Sequence, residues 1–210
     1  MNQDQSEVTE FFQVTPSGSY YATLSPEVDE RRALLLQLLS ADTHVPYFPA
    51  VLKKLTGYSE KEAQELMSWL MERGFLQLTT EPEAVPAGSI EQLLPEYLPQ
   101  LAEGRVLLAD EQGFCLGQSG YADEEAEALA ALSADIVLMH ERHQRLLREH
   151  LGFNSVSWGL LDAAGHSELG FWTLHVGHQK FLLVLEGMPT LNRQSFVNLL
   201  SVLMRRYLDY

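Results

Sequence analysis

Cysteine is nearly missing from this chain. Cys115 is the only one among 210 residues, so no disulfide can form within the chain and a disulfide scaffold is excluded. Basic residues are also scarce. Fourteen Lys and Arg stand against 29 Asp and Glu, for a net charge of −15. The deficit is spread evenly, −7 over residues 1–88 and −8 over 89–210. Binding to phosphate backbones needs clustered cations, and so does docking on anionic membranes; neither partner is expected. A basic surface on a protein partner is favoured instead. Long apolar runs are absent, since none approaches the ~20 residues of a membrane span. The opening MNQDQSEVTE lacks the basic and apolar segments of a secretion signal. A cytoplasmic protein is therefore expected.

A catalytic constellation is missing as well. Gly113, Gly117 and Gly120 do not have the spacing of a phosphate loop that opens a helix. Ser119 before Gly120 is not a nucleophile elbow, and Asp110, Glu111 and Asp162 mark turns. His140 and His143 flank Glu141 on one helix, with His150 downstream. That spacing can hold a metal, but metal sites need about three or four convergent ligands, and a solvated or dimer-edge helix face is the expected reading. His175 and His178 flank a turn and are read the same way. Cys115 is read as a small buried hydrophobe. No enzyme activity, cofactor or metal is expected.

What is present divides in two. Residues 1–8 are polar and expected to fray. Residues 9–14 and 19–24 are β-prone runs around Thr15-Pro16-Ser17-Gly18, which predicts a hairpin. Ser25-Pro26-Glu27 starts a helix to about residue 39, and 47–55 forms a shorter one. Ser59 and Glu62 make a capping box for a third helix, ended by Gly74 as a left-handed cap. Residues 75–80 alternate as a strand. This order over 26–80 resembles a winged helix-turn-helix. Helix 60–73 offers Glu60, Glu62, Glu65 and Glu72 against Lys61 and Arg73, which is poor material for reading a DNA groove. Residues 81–88 (EPEAVPAG) are the linker candidate, so the expected units are 1–80 and 89–210.

The second unit starts with a helix from Ser89 to about residue 101, with a bend or break at Pro95. Two short strands follow, 105–109 and 114–118, around the turn Asp110…Gly113. A long helix opens at Asp123 as N-cap, with acids at its positive end. From Ala126 to Met139 it has almost no polar side, and a helix apolar all round is buried all round. Its own sheet can cover one side, and a partner chain is the simplest cover for the other. Charged residues resume after His140, so burial should end there. Strands follow at 155–161, 168–176 and 180–185, the last continuously apolar and hence central. Trp158 and Trp172 are core residues or interface anchors. A helix over 190–207 ends the chain.

Helix, two strands, long helix, three strands, helix is the order of the second unit. With VLLADEQGFCLGQSG followed by AEALAALSADIV, it resembles the roadblock (dynein light chain) family. The resemblance implies an α+β fold: a five-stranded antiparallel sheet, the long helix on one face and the terminal helices on the other. It also implies homodimers through the long helix and the third strand of the unit. On that expectation the dimer interface draws on Ala126, Leu129, Ala130, Ser133, Ala134 and Val137 of the helix, and Val156, Trp158 and Leu160 of the strand. The family implies no enzymatic activity. It implies regulation or scaffolding of a small Ras-like GTPase, or of a motor or signalling complex. The alternative is a DNA-binding transcriptional regulator whose winged helix reads DNA while the second unit dimerises.

Overall fold

The computed structural model describes residues 9–208; the expected fraying of 1–8 lies outside them. Among the described residues, seven strands and seven α-helices follow in chain order: β1 (Phe11–Val14), α1 (Pro16–Ala22), α2 (Glu30–Ser40), α3 (Pro49–Thr56), α4 (Glu60–Glu72), β2 (Leu76–Thr79), α5 (Ile90–Tyr97), β3 (Val106–Asp110), β4 (Cys115–Ser119), α6 (Asp123–Arg145), β5 (Trp158–Leu161), β6 (Ser167–Val176), β7 (Gln179–Glu186) and α7 (Gln194–Tyr207).

The expected N-terminal hairpin is not formed. Residues 9–14 do supply a strand, but 16–22 are helical. Thr15 caps α1 by accepting from the Gly18 amide, and Pro16 takes the first helical position, where its fixed φ suits the helix. The partner of β1 is β2, antiparallel, with Phe12 opposite Leu78 and Val14 opposite Leu76. Helix α2 also begins later than expected. Asp29 accepts from the Arg32 amide and is the N-cap, while Ser25 only bends the chain through the Glu27 amide. The Ser59–Glu62 capping box forms in both directions, and Gly74 adopts φ 68°.

Five strands form the larger sheet in the order β4-β3-β7-β6-β5, every pair antiparallel. Strand β7 lies in the middle, so Phe181–Leu185 are buried on both faces, as a continuous apolar run requires. Alternation sorts the side chains. Val106, Leu108, Leu174, Leu183 and Leu185 face α5 and α7, while Leu107, Ala109, Phe171, Leu182 and Val184 face α6. Helix α5 gives way to a 3-10 turn, Leu98–Gln100, soon after Pro95. The proline has no N–H to extend the helical ladder.

The N-terminal elements are joined to this sheet. One buried cluster runs from Phe12 and Leu35 through Leu70 to Phe196 and Leu203. Ser201 Oγ donates to the Leu39 carbonyl at 2.7 Å, and the His175 amide donates to the Thr23 carbonyl at 2.9 Å. Residues 82–86 lie along β1 and the 41–45 loop, where His44 Nε2 meets the Glu83 carbonyl at 2.9 Å.

Candidate functional site: the outer face of the long helix and a free strand edge

Helix α6 sits on the sheet through small residues. Ala126, Ala130, Ser133, Ala134 and Val137 are buried, and three of them pack on Leu107, Ala109, Phe171, Leu182 and Val184. Small side chains bring the helix close. At Gly113, in the β3–β4 turn, a Cβ would stand 3.1 Å from Ala131 Cα, and its φ of 86° already favours glycine. The turn is tied by Asp110 Oδ1, which accepts from the amides of Gln112 and Phe114.

The helix start differs from expectation. Ala122 is the N-cap, not Asp123. Glu125, at the third helical position, reaches back to accept from the Ala122 amide, so the acid acts from inside the first turn. Arg105 stands between Glu125 and Glu186, 3.4 Å from the former, and lies over the Tyr121 ring. It holds the Glu186 carboxyl below the usual range by hydrogen bonding.

Burial all round is not observed in the single chain. Ala128, Ala131, Leu132, Asp135, Leu138 and Met139 form an outer face. Leu132 is 46% exposed and Leu138 55%. Burial on α6 ends at Val137, one turn before His140. Of the nine expected interface residues, five (Ala126, Ala130, Ser133, Ala134, Val137) are thus buried within the single chain. The outer ridge of Leu132, Leu138 and Met139 escaped the sequence reading. With apolar residues on every side of α6, periodicity carries no sign of which side meets the sheet.

The other expected residues gather at β5. Among the described residues this strand pairs only with β6 and is a free edge. Val156 precedes it and is half-buried, as is Trp158. Trp158 Nε1 donates to His140 Nδ1 at 3.1 Å, which ties the strand to α6. Leu160 and Leu129 share a hollow with Tyr121 and Leu169. Leu160 is 56% exposed and Leu161 63%. The opposite edge, β4, is different, because α5 packs on it: a Cβ at Gly117 would meet Leu94 Cδ1 at 2.8 Å. An uncovered apolar edge invites pairing with another chain.

Other candidates stay apart. Among the described residues no three His, Cys, Asp or Glu gather as a metal group, and no helix there is long and apolar enough to cross a membrane. Cys115 is half-buried beside α6, and burial pushes its thiol up. Trp172 packs on the α7 side of the sheet. The exposed charges of α4 are Glu60, Glu62, Glu65 and Glu72 against Lys61.

His175 is the most perturbed group. Burial, then Lys180 directly opposite on β7, pull its pKa down from 6.5 to about 4; Arg32 adds to this and Glu141 opposes it. A base whose folded pKa lies below its unfolded value binds fewer protons when folded. Stability is therefore lost as pH falls from 6.5 towards 4. His175→Gln should flatten this limb: relative to wild type, the variant gains stability between pH 7 and pH 4.5 in urea titrations. A constant difference over that range would show that His175 does not titrate in the window.

No family model and no curated protein matches the chain. Similar solved structures include a roadblock/LC7 domain from Streptomyces avermitilis, 9% identical over 57% of this chain and 93% of that one, TM-score 0.36. Myxococcus xanthus MglB is 15% identical over 56% and 94%, TM-score 0.38. The gliding protein MglB from Thermus thermophilus is 19% identical over 61% and 97%, TM-score 0.38.

Proposed function

We propose that this protein is a non-enzymatic, homodimeric protein-interaction module of roadblock type. Its residues 89–210 form the dimer, and the winged-helix-like 1–80 is carried on it. The observation that carries this reading is a free, apolar β5 edge beside an exposed apolar ridge on α6. Two copies related by a two-fold axis would pair β5 with β5 and lay the α6 outer faces together. That would extend the sheet and remove Leu132, Leu138, Met139, Leu160 and Leu161 from water. Such an isologous contact is self-complementary, and since each Leu is already about half buried, completing its burial contributes roughly 1 kcal/mol by transfer.

The partner of the dimer is proposed from the family resemblance of the 106–139 stretch: a small Ras-like GTPase, met through a basic surface that suits this acidic chain. Light scattering at micromolar concentration should give twice the 23.7 kDa chain mass. Small GTPases encoded near the gene should be retained on the immobilised protein, with altered nucleotide turnover. A monomer would remove the dimer. Retention of none, with turnover unchanged, would remove the GTPase and leave the dimer standing.

A further inference from the structure

A cavity of about 570 Å³ opens where residues 24–32 cross the α6 side of the sheet. Thr173 and His175 of β6 and Lys180 of β7 form its floor, and Val137, Leu147 and Val156 give it an apolar wall. Arg32 of α2 and Arg148, just past α6, close it from two sides. The volume falls in the range of small-molecule sites, about 300–1,000 Å³, which are mostly apolar with a few placed polar groups.

The charges on this wall are unusual for the chain. Three cations, Arg32, Arg148 and Lys180, meet two carboxylates, Glu27 and Glu141, a balance of +1 within a chain of −15. Lys180 is already engaged, bonded to Glu141 and 3.6 Å from Glu111. The two guanidinium groups make no ion pair with a carboxylate among the described residues. Arg32 Nη1 donates to the Glu27 backbone carbonyl, and the group lies 5.3 Å from the Tyr21 ring centre. Its Nε is buried without a hydrogen-bond partner. That nitrogen is closed to solvent, so a ligand in the cavity meets the guanidinium through its Nη groups, and a guanidinium and a carboxylate form charge-assisted hydrogen bonds.

We infer that this cavity binds a small organic monocarboxylate, its carboxylate on Arg32 and its apolar body against Val137, Leu147 and Val156. The ligand carries one charge because Lys180 and Glu141 neutralise each other, and Arg32 and Arg148 against Glu27 leave a balance of +1. It sits at the seam where the Thr23 carbonyl meets the His175 amide, so it bridges the N-terminal elements and the sheet. This assignment is independent of the dimer and of its protein partner.

Calorimetry on the full chain tests it, with hexanoate as probe, hexanamide as its neutral counterpart, and inorganic phosphate. Hexanoate should bind saturably, one per chain, and hexanamide at least tenfold more weakly. Arg32→Gln should weaken hexanoate at least tenfold, and Arg148→Gln, at an exposed position, a few-fold. Val156→Trp, which puts a bulky ring on the apolar wall, should abolish binding and gives a second route if Arg32→Gln does not fold. The assignment is overturned by any of three results: no saturable binding of hexanoate, equal binding of hexanamide, or phosphate binding more tightly than hexanoate.

Discussion

Ala130→Glu is expected to detach α6 from the sheet and unfold the protein, or to lower its stability by about 4 kcal/mol. Ala130 is fully buried between α6 and the sheet, in the cluster with Leu107, Ala109, Leu182 and Val184. A glutamate there has no room, because the small residues of this face set the distance between helix and sheet. It also has no partner, since the surrounding cluster is apolar, and an uncompensated buried charge costs roughly 3–5 kcal/mol. Natural domains have only about 5–15 kcal/mol in total. Urea unfolding followed by circular dichroism should show a lowered midpoint or no native baseline. Ala128→Glu, two residues away on the exposed face, should keep the native spectrum. If both variants behave alike, the orientation of α6 on the sheet is wrong.

Gly18→Ala is the second large effect. A Cβ at Gly18 would stand 1.9 Å from the Phe75 carbonyl oxygen and 2.7 Å from its carbon. Backbone cannot yield as a side-chain tip can. Helix α1 must therefore lift from the start of β2, where Thr15 N donates to that same carbonyl. Lifting it separates Tyr21 from Phe75, whose rings stack at 4.6 Å. Overpacking costs roughly 1–3 kcal/mol and occasionally more; about 3 kcal/mol is expected here. Thermal unfolding of the variant should fall accordingly. In a hairpin over 9–24 the same glycine would lie in a turn, far from Phe75, and alanine would be nearly neutral. The measurement thus distinguishes the helical from the hairpin arrangement.

These positions also show what the sequence displays locally and what it hides. The capping box of α4 was legible because Ser59 and Glu62 lie one turn apart and need nothing else. The glycine cap at Gly74 and the Asp110 turn were legible for the same reason. Strand β7 announced itself by an unbroken apolar run. The hairpin was misread because β1 finds its partner more than sixty residues downstream, in β2, which leaves residues 16–22 free to follow the Thr15-Pro16 helix start. The start of α2 was misread because two capping signals compete within five residues, and Asp29 is the one that captures an amide. The inward side of α6 was hidden by its uniformity. The cavity at the seam was invisible altogether, since Arg32, Arg148 and Lys180 are brought together only by the fold.

Sedimentation velocity on the wild type and on Leu138→Glu with Leu160→Lys decides whether α6 and β5 form a dimer interface. Both side chains are more than half exposed in the single chain, so the double variant should fold with an unchanged circular dichroism spectrum. One charge lies on the α6 ridge and the other on the β5 edge, and burying either across a two-fold axis is strongly unfavourable. The wild type should sediment as a dimer at micromolar concentration, and the double variant as a folded monomer up to at least a hundredfold higher concentration. A monomeric wild type, or a double variant that remains dimeric, would contradict the account.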